Sequence, residues 1–455
     1  MKKSFMLLSL SLAFGAQAAM AQADVDESVS RVMVSQDFEQ EMEQQSRAPR
    51  RPEAQRKSRL TIGGYGEAVM SRNFYSDNYL RYTNADTYKD ADSHGRFDLP
   101  HVVVWLGYDF GRGWSLGTEI EFEHGGTESA VEIEEEEAGE YESEVERGGE
   151  VALEQFWIQK TFSKALSLKM GHFVVPVGAT NCYHMPTEYF TCYRPEGEST
   201  ILPCTWHETG ISLWGRWKAW RYEVCFISGL DSDRFDRQGW IANGAGSPYE
   251  FTIANNYAGA LRIDNYSVKG LRLSVSGYIG NSFKNTLTAT TNSKYDGVTG
   301  TVTIGTFDFA YDNYGLIVRG NFDYGHLTDA SKITTFNMSM RTSSVSPQQS
   351  VASDAIAVGI EAGYDILPLF MKGKNADDKL YVFGRYEYYD SMYKVQGSVT
   401  NYSWCGRQRV AAGLNYKPMK EIVVKGEYSI GLLKSRYNNE PSISLAIAYY
   451  GLFNM

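Results

Sequence analysis

Charged residues recur two positions apart at several places in this chain. Glu119, Glu121 and Glu123 form one set, Arg319, Asn321 and Asp323 a second, Arg385 and Glu387 a third, Lys425 and Glu427 a fourth. Residues two apart share one face of an extended strand. The opposite parity is apolar or aromatic: Trp114, Leu116, Ile120 and Phe122; Leu316, Val318, Phe322 and Tyr324; Leu380, Val382, Tyr386 and Tyr388; Ile422, Val424, Tyr428 and Ile430. A row of fixed charges performs no covalent chemistry. It attracts counter-ions, orients polar solutes and penalises apolar ones. The signs are unevenly placed. Acids dominate early, with Glu67, Glu119, Glu121 and Glu123. Arginines dominate later, with Arg216, Arg221, Arg262, Arg272, Arg319, Arg385, Arg407 and Arg409.

Residue sets for other chemistry are weak. No Gly-x-Ser-x-Gly element occurs, and no serine, histidine and carboxylate are grouped as nucleophile, base and orienter, so an enzyme is not expected. Cys182, Cys192, Cys204, His184 and His207 lack the tight Cys-x2-Cys spacing of a structural zinc site; no metal and no cofactor are expected. Five cysteines in an exported chain suggest a disulfide between two of the three in 182–204, with at least one thiol left over. The formal net charge is −11, and much of the acidity lies in Thr127–Glu150, where Glu134 to Glu137 run consecutively. That run reads as a solvated segment, or as an external funnel holding divalent ions weakly; it lacks the spaced Asp/Asn and glycine of a calcium loop. Nucleic-acid binding has no support beyond the short basic stretch 47–59.

The elements that must position these charges are strands. Sixteen candidates begin near Leu60, Asp98, Trp114, Val151, Leu166, Glu208, Trp220, Asn255, Leu271, Thr301, Tyr314, Asp354, Lys379, Gly406, Glu421 and Pro441. In the last, Ile443, Leu445, Ile447 and Tyr449 alternate with Ser442, Ser444, Ala446 and Ala448. The fourth and tenth strands do not alternate cleanly and receive no face. Short connections alternate with long ones (71–97, 125–150, 177–206, 231–254, 282–300, 328–353, 391–405 and 433–440). This rhythm, with an apolar outer face and no long apolar helix, predicts an all-β fold: a transmembrane antiparallel β-barrel of about 16 strands. The 31 tyrosines fit interfacial girdles. Sixteen strands leave room for an aqueous channel, and the numerous interior charges predict a hydrated lumen with an acidic wall facing a basic one.

Before the barrel, Lys2-Lys3, the apolar run to Phe14 and Ala19-Met20-Ala21 read as a secretory signal over residues 1–21. Residues 22–59, acidic and then basic, read as a periplasmic extension or linker. The barrel occupies 60–455.

One segment is different in kind. It runs Gly171-His172-Phe173-Val174-Val175-Pro176-Val177-Gly178, then Asn181, His184, Pro186, Phe190, Arg194-Pro195, Glu198, Ile201, Pro203, Trp206, Glu208 and Gly210. Gly64-Tyr65-Gly66-Glu67, Arg96-Phe97-Asp98, Glu119 to Gly125 and Glu154-Gln155 flank it in the same pattern. Over about 60–210 the chain resembles the phosphate-selective porin O and P family and its broader porin-like relatives. Short turns at one rim and long loops at the other predict an outer-membrane barrel of a Gram-negative bacterium with the long loops outside, and the even strand number places both termini in the periplasm. The resemblance implies that it is a homotrimer there, contacting outer-membrane lipids. It implies that loop 177–206 folds inward and brings His184, Glu188, Arg194 and Glu198 to a constriction. With Glu67, Glu119, Glu121, Glu123, Arg216, Arg319, Arg385 and Arg409 lining the pore, the expected function is passive diffusion of small hydrophilic or charged solutes. An anion-specific channel of the phosphate type and a plugged structural or adhesive barrel are the alternatives. Phosphate selectivity does not carry over with the resemblance, because the matched front half is rich in glutamate.

Overall fold

The computed structural model describes residues 59–129, 132–134, 142–144, 147–246, 252–285, 292–340, 346–371 and 378–454. The expected signal 1–21, the extension except its last residue, and parts of the acidic segment 127–150 lie outside the described residues.

Sixteen strands form the barrel: β1 (Leu60–Asn73), β2 (His101–Gly111), β3 (Trp114–Ser129), β4 (Arg147–Ser163), β5 (Leu166–Val174), β6 (His207–Trp217), β7 (Trp220–Ser228), β8 (Tyr257–Val268), β9 (Leu271–Asn281), β10 (Thr301–Asn313), β11 (Leu316–Leu327), β12 (Asp354–Asp365), β13 (Lys379–Lys394), β14 (Gly406–Met419), β15 (Ile422–Gly431) and β16 (Ser442–Asn454). Each pairs antiparallel with its sequence neighbour. The seam closes between β1 and β16, from Thr61 opposite Asn454 to Asn73 opposite Ser442. Closure leaves no long unpaired edge. No described helix is long and apolar enough to cross a membrane.

Local chemistry sets the strand limits. Gly95–Asp98 also pairs with β1, opposite Val69–Arg72, while His101–Gly111 pairs with the first half of β1. Pro100 lies between these pieces; lacking an N–H, it interrupts the ladder, so β2 begins later than its alternation suggests. Tyr314 is expected to open a strand but forms a turn. Its φ of 55° and that of Gly315, 75°, give the left-handed pair of a tight hairpin, and β11 starts at Leu316.

Side-chain parity follows the expected alternation where faces are assigned. Phe322, Val382, Val424 and Tyr428 are exposed on the outer surface, whereas Asp323, Arg385, Glu387 and Lys425 are buried inside. The two unassigned strands have separate explanations. In β10 the inner face is itself partly apolar: Val302 and Ile304 point inward and belong to the largest buried cluster. In β4 the register shifts, with Glu119 opposite Gln155 but Ile120 opposite Leu153. Glu154 is the extra residue of a β-bulge, so Glu154 and Gln155 both turn inward.

The interior is more densely packed than a merely hydrated lumen. Trp206, Leu230, Phe235, Trp240, Ile241, Ile333 and Phe336, all from the connections at the long-loop rim, form one buried apolar cluster with Trp105, Trp157 and Tyr278 from the wall. These connections fold back over the mouth: Trp240 Nε1 donates to Ala352 O at 3.1 Å and Asn337 Nδ2 to Ser232 O at 2.9 Å. A wall with apolar inward positions near one rim is covered by apolar loop residues because leaving both faces wet would forfeit that burial.

Candidate functional site: the barrel interior and the segment 175–206

The segment between β5 and β6 is closed at its base. Val175 N–H donates to Trp206 O at 2.8 Å, and Asn181 bridges both arms, donating to Val175 O at 2.7 Å and accepting from Trp206 N–H at 2.6 Å. The φ of Gly178 is 86°, and a Cβ there would overlap the Glu198 carboxylate, so glycine is required. Glu198 accepts N–H bonds from Ala179 at 2.9 Å and Thr180 at 2.7 Å, at the start of the short helix Ala179–Cys182. The carboxyl is nevertheless pushed up to about 7, because burial outweighs those bonds.

The segment then meets the far wall. Lys425 Nζ of β15 donates to Thr191 O at 2.7 Å and Tyr189 O at 3.1 Å. Asn415 of β14 donates to Phe190 O at 3.0 Å, and the Phe190 ring stacks on Phe383 with centroids 5.4 Å apart. Glu427 accepts from Cys192 N–H at 2.7 Å, and Glu387 accepts from Gly197 N–H at 2.9 Å. Every one of these partners is on the inward parity of its strand. Residues 175–206 therefore contact the inside of the barrel from β5 and β6 across to β13–β15.

The charges expected to line the interior occupy distinct settings. The arginines are interleaved with acids. Arg262 contacts Asp264 at 2.8 Å and Asp308 at 2.9 Å; Arg272 contacts Asp308 at 2.8 Å; Arg319 contacts Glu361 at 2.6 Å; Arg385 reaches Glu361 at 3.2 Å and Glu387 at 2.9 Å. Arg409 lies 3.4 Å from Glu196 and 3.8 Å from Glu440. Arg216 is half-buried at the short-turn end, over the Tyr266 ring at 5.7 Å. The expected basic wall is thus largely neutralised by its own carboxylates, which the sequence count of arginines alone does not reveal.

The acidic side differs. Glu67, Glu119 and Glu121 are buried, and Glu123 is half-buried. Glu121 is paired with His101 Nδ1 at 2.6 Å, and Glu119 accepts from Gln155. No donor in hydrogen-bonding geometry reaches either oxygen of Glu67 or of Glu154, which adjoin the Tyr189 hydroxyl and the Glu121 carboxyl respectively. From the opposing segment, His184 and Arg194 are directed here. His184 Nδ1 lies 2.9 Å from Asn181 O, and burial pulls the imidazole down to about 4. Arg194 is half-buried, with Nε and Nη2 enclosed and unpartnered and Nη1 3.5 Å from Cys204 Sγ. Glu188 turns back on its own segment, accepting from Met185 N–H at 3.1 Å.

Among the resemblance-derived residues, His184 and Arg194 face the acidic wall, whereas Glu188 and Glu198 bind the segment's own backbone. Glu154 is the interior residue that alternation cannot place, because its bulge breaks the period of two. The expected disulfide does not form: all five cysteines are free. Cys192 packs beside Val69 and Ala446, whereas Cys225 and Cys405 belong to the large cluster.

No family model matches the chain. A protein of Aquifex aeolicus (strain VF5), described as uncharacterized, is 26% identical over 391 residues, spanning 84% of this chain and 78% of that protein. Among solved structures, OmpF of Salmonella typhi in complex with daunomycin aligns over 87% of this chain and 98% of its own, with a TM-score of 0.52 and 10% identity. OprB of Pseudomonas putida aligns over 87% and 94%, with a TM-score of 0.50 and 11% identity. Both are outer-membrane porins. At such identities the likeness is one of architecture, and it agrees with the strand count and closure described above: the chain has the closed sixteen-strand antiparallel barrel of the porin fold.

Proposed function

We propose that this chain is an outer-membrane porin through which small hydrophilic or charged solutes diffuse passively, and that residues 177–206 form its constriction. The observation that carries this reading is the division of the barrel into an apolar outer surface and a charged inner one, with a polar segment laid across the inside. Lipid accepts the first surface; only water or ions favour the second. Glu67, Glu119, Glu121 and Glu123 line the acidic side of the path, and Arg216, Arg319, Arg385 and Arg409 the opposite side. His184 and Arg194 project from the constriction, and Glu188 and Glu198 hold its shape.

The assembly is proposed as a homotrimer in the outer membrane, termini periplasmic and long loops outside. The segment's Pro176-Val177-Gly178, Arg194-Pro195 and Glu208-Thr209-Gly210 pattern supports kinship with the porin O and P type. The ion pairing of the arginines argues against phosphate selectivity, since an anion path needs guanidinium groups free of carboxylates. A second reading, a closed barrel whose outer loops bind a partner, is favoured by the apolar cluster at the mouth.

Single-channel recording of the refolded mature chain in a planar bilayer, with reversal potential under a KCl gradient, tests the proposal. Steady openings with weak cation preference are expected. Strong anion preference would revive the phosphate-type channel. Silence from a folded, heat-modifiable barrel would favour the closed one.

A further inference from the structure

The bulge in β4 creates an unresolved charge. It turns two consecutive side chains into the barrel, and only one is accommodated. Gln155 donates through Nε2 to Glu119 and accepts from Trp157 Nε1 at 3.2 Å. Glu154 is 1% exposed, no N–H or hydroxyl donor reaches either of its oxygens, and its carboxyl instead adjoins that of Glu121. A buried carboxylate without donors is unfavourable unless a proton or a cation accompanies it.

Two further donors converge on it. One oxygen each of Glu119 and Glu154 and one imidazole nitrogen of His184 lie within 4.8 Å of one another, and all three residues are buried. Ligands about 2.0–2.2 Å from one tetrahedral ion stand about 3.3–3.6 Å apart, so the three atoms would close by up to about 1.5 Å around it. His184 is also oriented for the purpose. Its Nδ1 is 2.9 Å from the carbonyl of Asn181, which can only accept, so Nδ1 carries the proton and Nε2 presents a lone pair. Asn181 is itself fixed by Val175 and Trp206. A ligating imidazole braced through its other nitrogen by a carbonyl is the usual outer-shell arrangement of a metal site.

We propose that Glu119, Glu154 and His184 bind a single divalent transition-metal ion of the zinc class. The ion ties the inward segment, through His184, to the β3–β4 wall. Two carboxylate oxygens and an imidazole form a borderline donor set, which favours zinc over the all-oxygen preference of calcium and magnesium. The three ligands come from two strands and a loop, with no local spacing to mark them. This is why the sequence leads one to expect no metal. The site stands independently of whether the barrel conducts.

The test uses the refolded, chelator-stripped chain and Zn²⁺ titrated by calorimetry, with Ca²⁺ as control. One saturable zinc per chain is expected, with calcium taken up far more weakly. Glu154→Gln keeps the side chain's size and removes its charge; it should weaken zinc binding by about tenfold or more, as should His184→Ala. Weak uptake by the carboxylates of 127–150 is unaffected by either change, so it separates from the site. The zinc-edge absorption spectrum of the unsubstituted loaded chain should show one imidazole among oxygen ligands, and it decides the matter if a variant fails to refold. No saturable zinc, equal affinity in Glu154→Gln, or an all-oxygen shell would overturn the proposal. Absence of uptake would leave Arg194, whose Nε and Nη2 are unpartnered nearby, as the cation that serves Glu154.

Discussion

Asp308 shows how much a single interior side chain holds. It is fully buried and receives both Arg262 and Arg272 at 2.8–2.9 Å. Replacing it by alanine leaves two enclosed guanidinium groups with Asp264 as the remaining acid for Arg262. Removing one member of a buried pair costs about 3–5 kcal/mol. Asp308→Ala is therefore expected to lower the urea midpoint of the folded barrel, whereas Lys332→Ala, which removes only the exposed pair with Asp329 at 3.8 Å, should leave it within error. Selectivity belongs to the same scale. Changing Glu119 and Glu121 together to glutamine should shift the reversal potential toward anions; no shift would remove both from the conduction path. Asp231, in the connection after β7, carries a pH dependence. Burial first, and Asp233 second, push its carboxyl up to about 7. A raised acid means the folded loop holds its proton over a range where the unfolded chain has lost it. The loop's packing is thus strongest at low pH and weakens as pH rises through about 7. Protection factors over 229–246, corrected for the intrinsic rise of amide exchange with pH, should fall between about pH 5 and pH 8, and Asp231→Asn should flatten that fall.

At the level of elements, the barrel wall and the segment 175–206 are separable. The wall is held by strand pairing that closes on itself from β1 to β16. The segment is held by side chains: Lys425, Asn415, Glu427 and Glu387 bind its backbone, and Phe190 packs on Phe383. Replacing 179–202 by a short glycine-serine link should leave a heat-modifiable barrel and raise single-channel conductance several-fold. Unchanged conductance would place the narrowest point elsewhere, and the apolar cluster formed by the other long connections is where to look next. The β4 bulge is the other decisive element. It interrupts the ladder between Glu119 and Ile120, and it aims Glu154 at the segment.

For the whole molecule, the outer surface decides which solvent the fold belongs to. Leu213, Val224, Phe226, Val275, Ile279, Phe307 and Leu445 are all exposed at mid-strand positions, alternating with buried ones. A water-soluble barrel would carry charges there. Val224→Arg, near the middle of β7, should cost about 2–4 kcal/mol when folding is followed into lipid vesicles, because a guanidinium is then placed in hydrocarbon. An equal yield of folded protein for both chains across the urea series would argue against a membrane-embedded surface.

The sequence by itself determined the wall. A side-chain period of two is a local property, readable wherever apolar and charged residues alternate, and β3, β11, β13 and β15 have the faces their alternation predicts. It determined the rhythm of short and long connections for the same reason, since turn residues act locally. The alternation of β10 is obscured because its inner face is apolar where loops cover it. That of β4 is broken by an inserted residue. Only the tertiary structure decided what fills the interior: that 175–206 meets the opposite wall, that the arginines are neutralised by acids on neighbouring strands, that the cysteines stay apart, and that Glu119, Glu154 and His184 converge. Each of these depends on distances between residues far apart in the chain. Such distances arise only when the sheet closes into a ring, which brings together side chains that no local spacing relates.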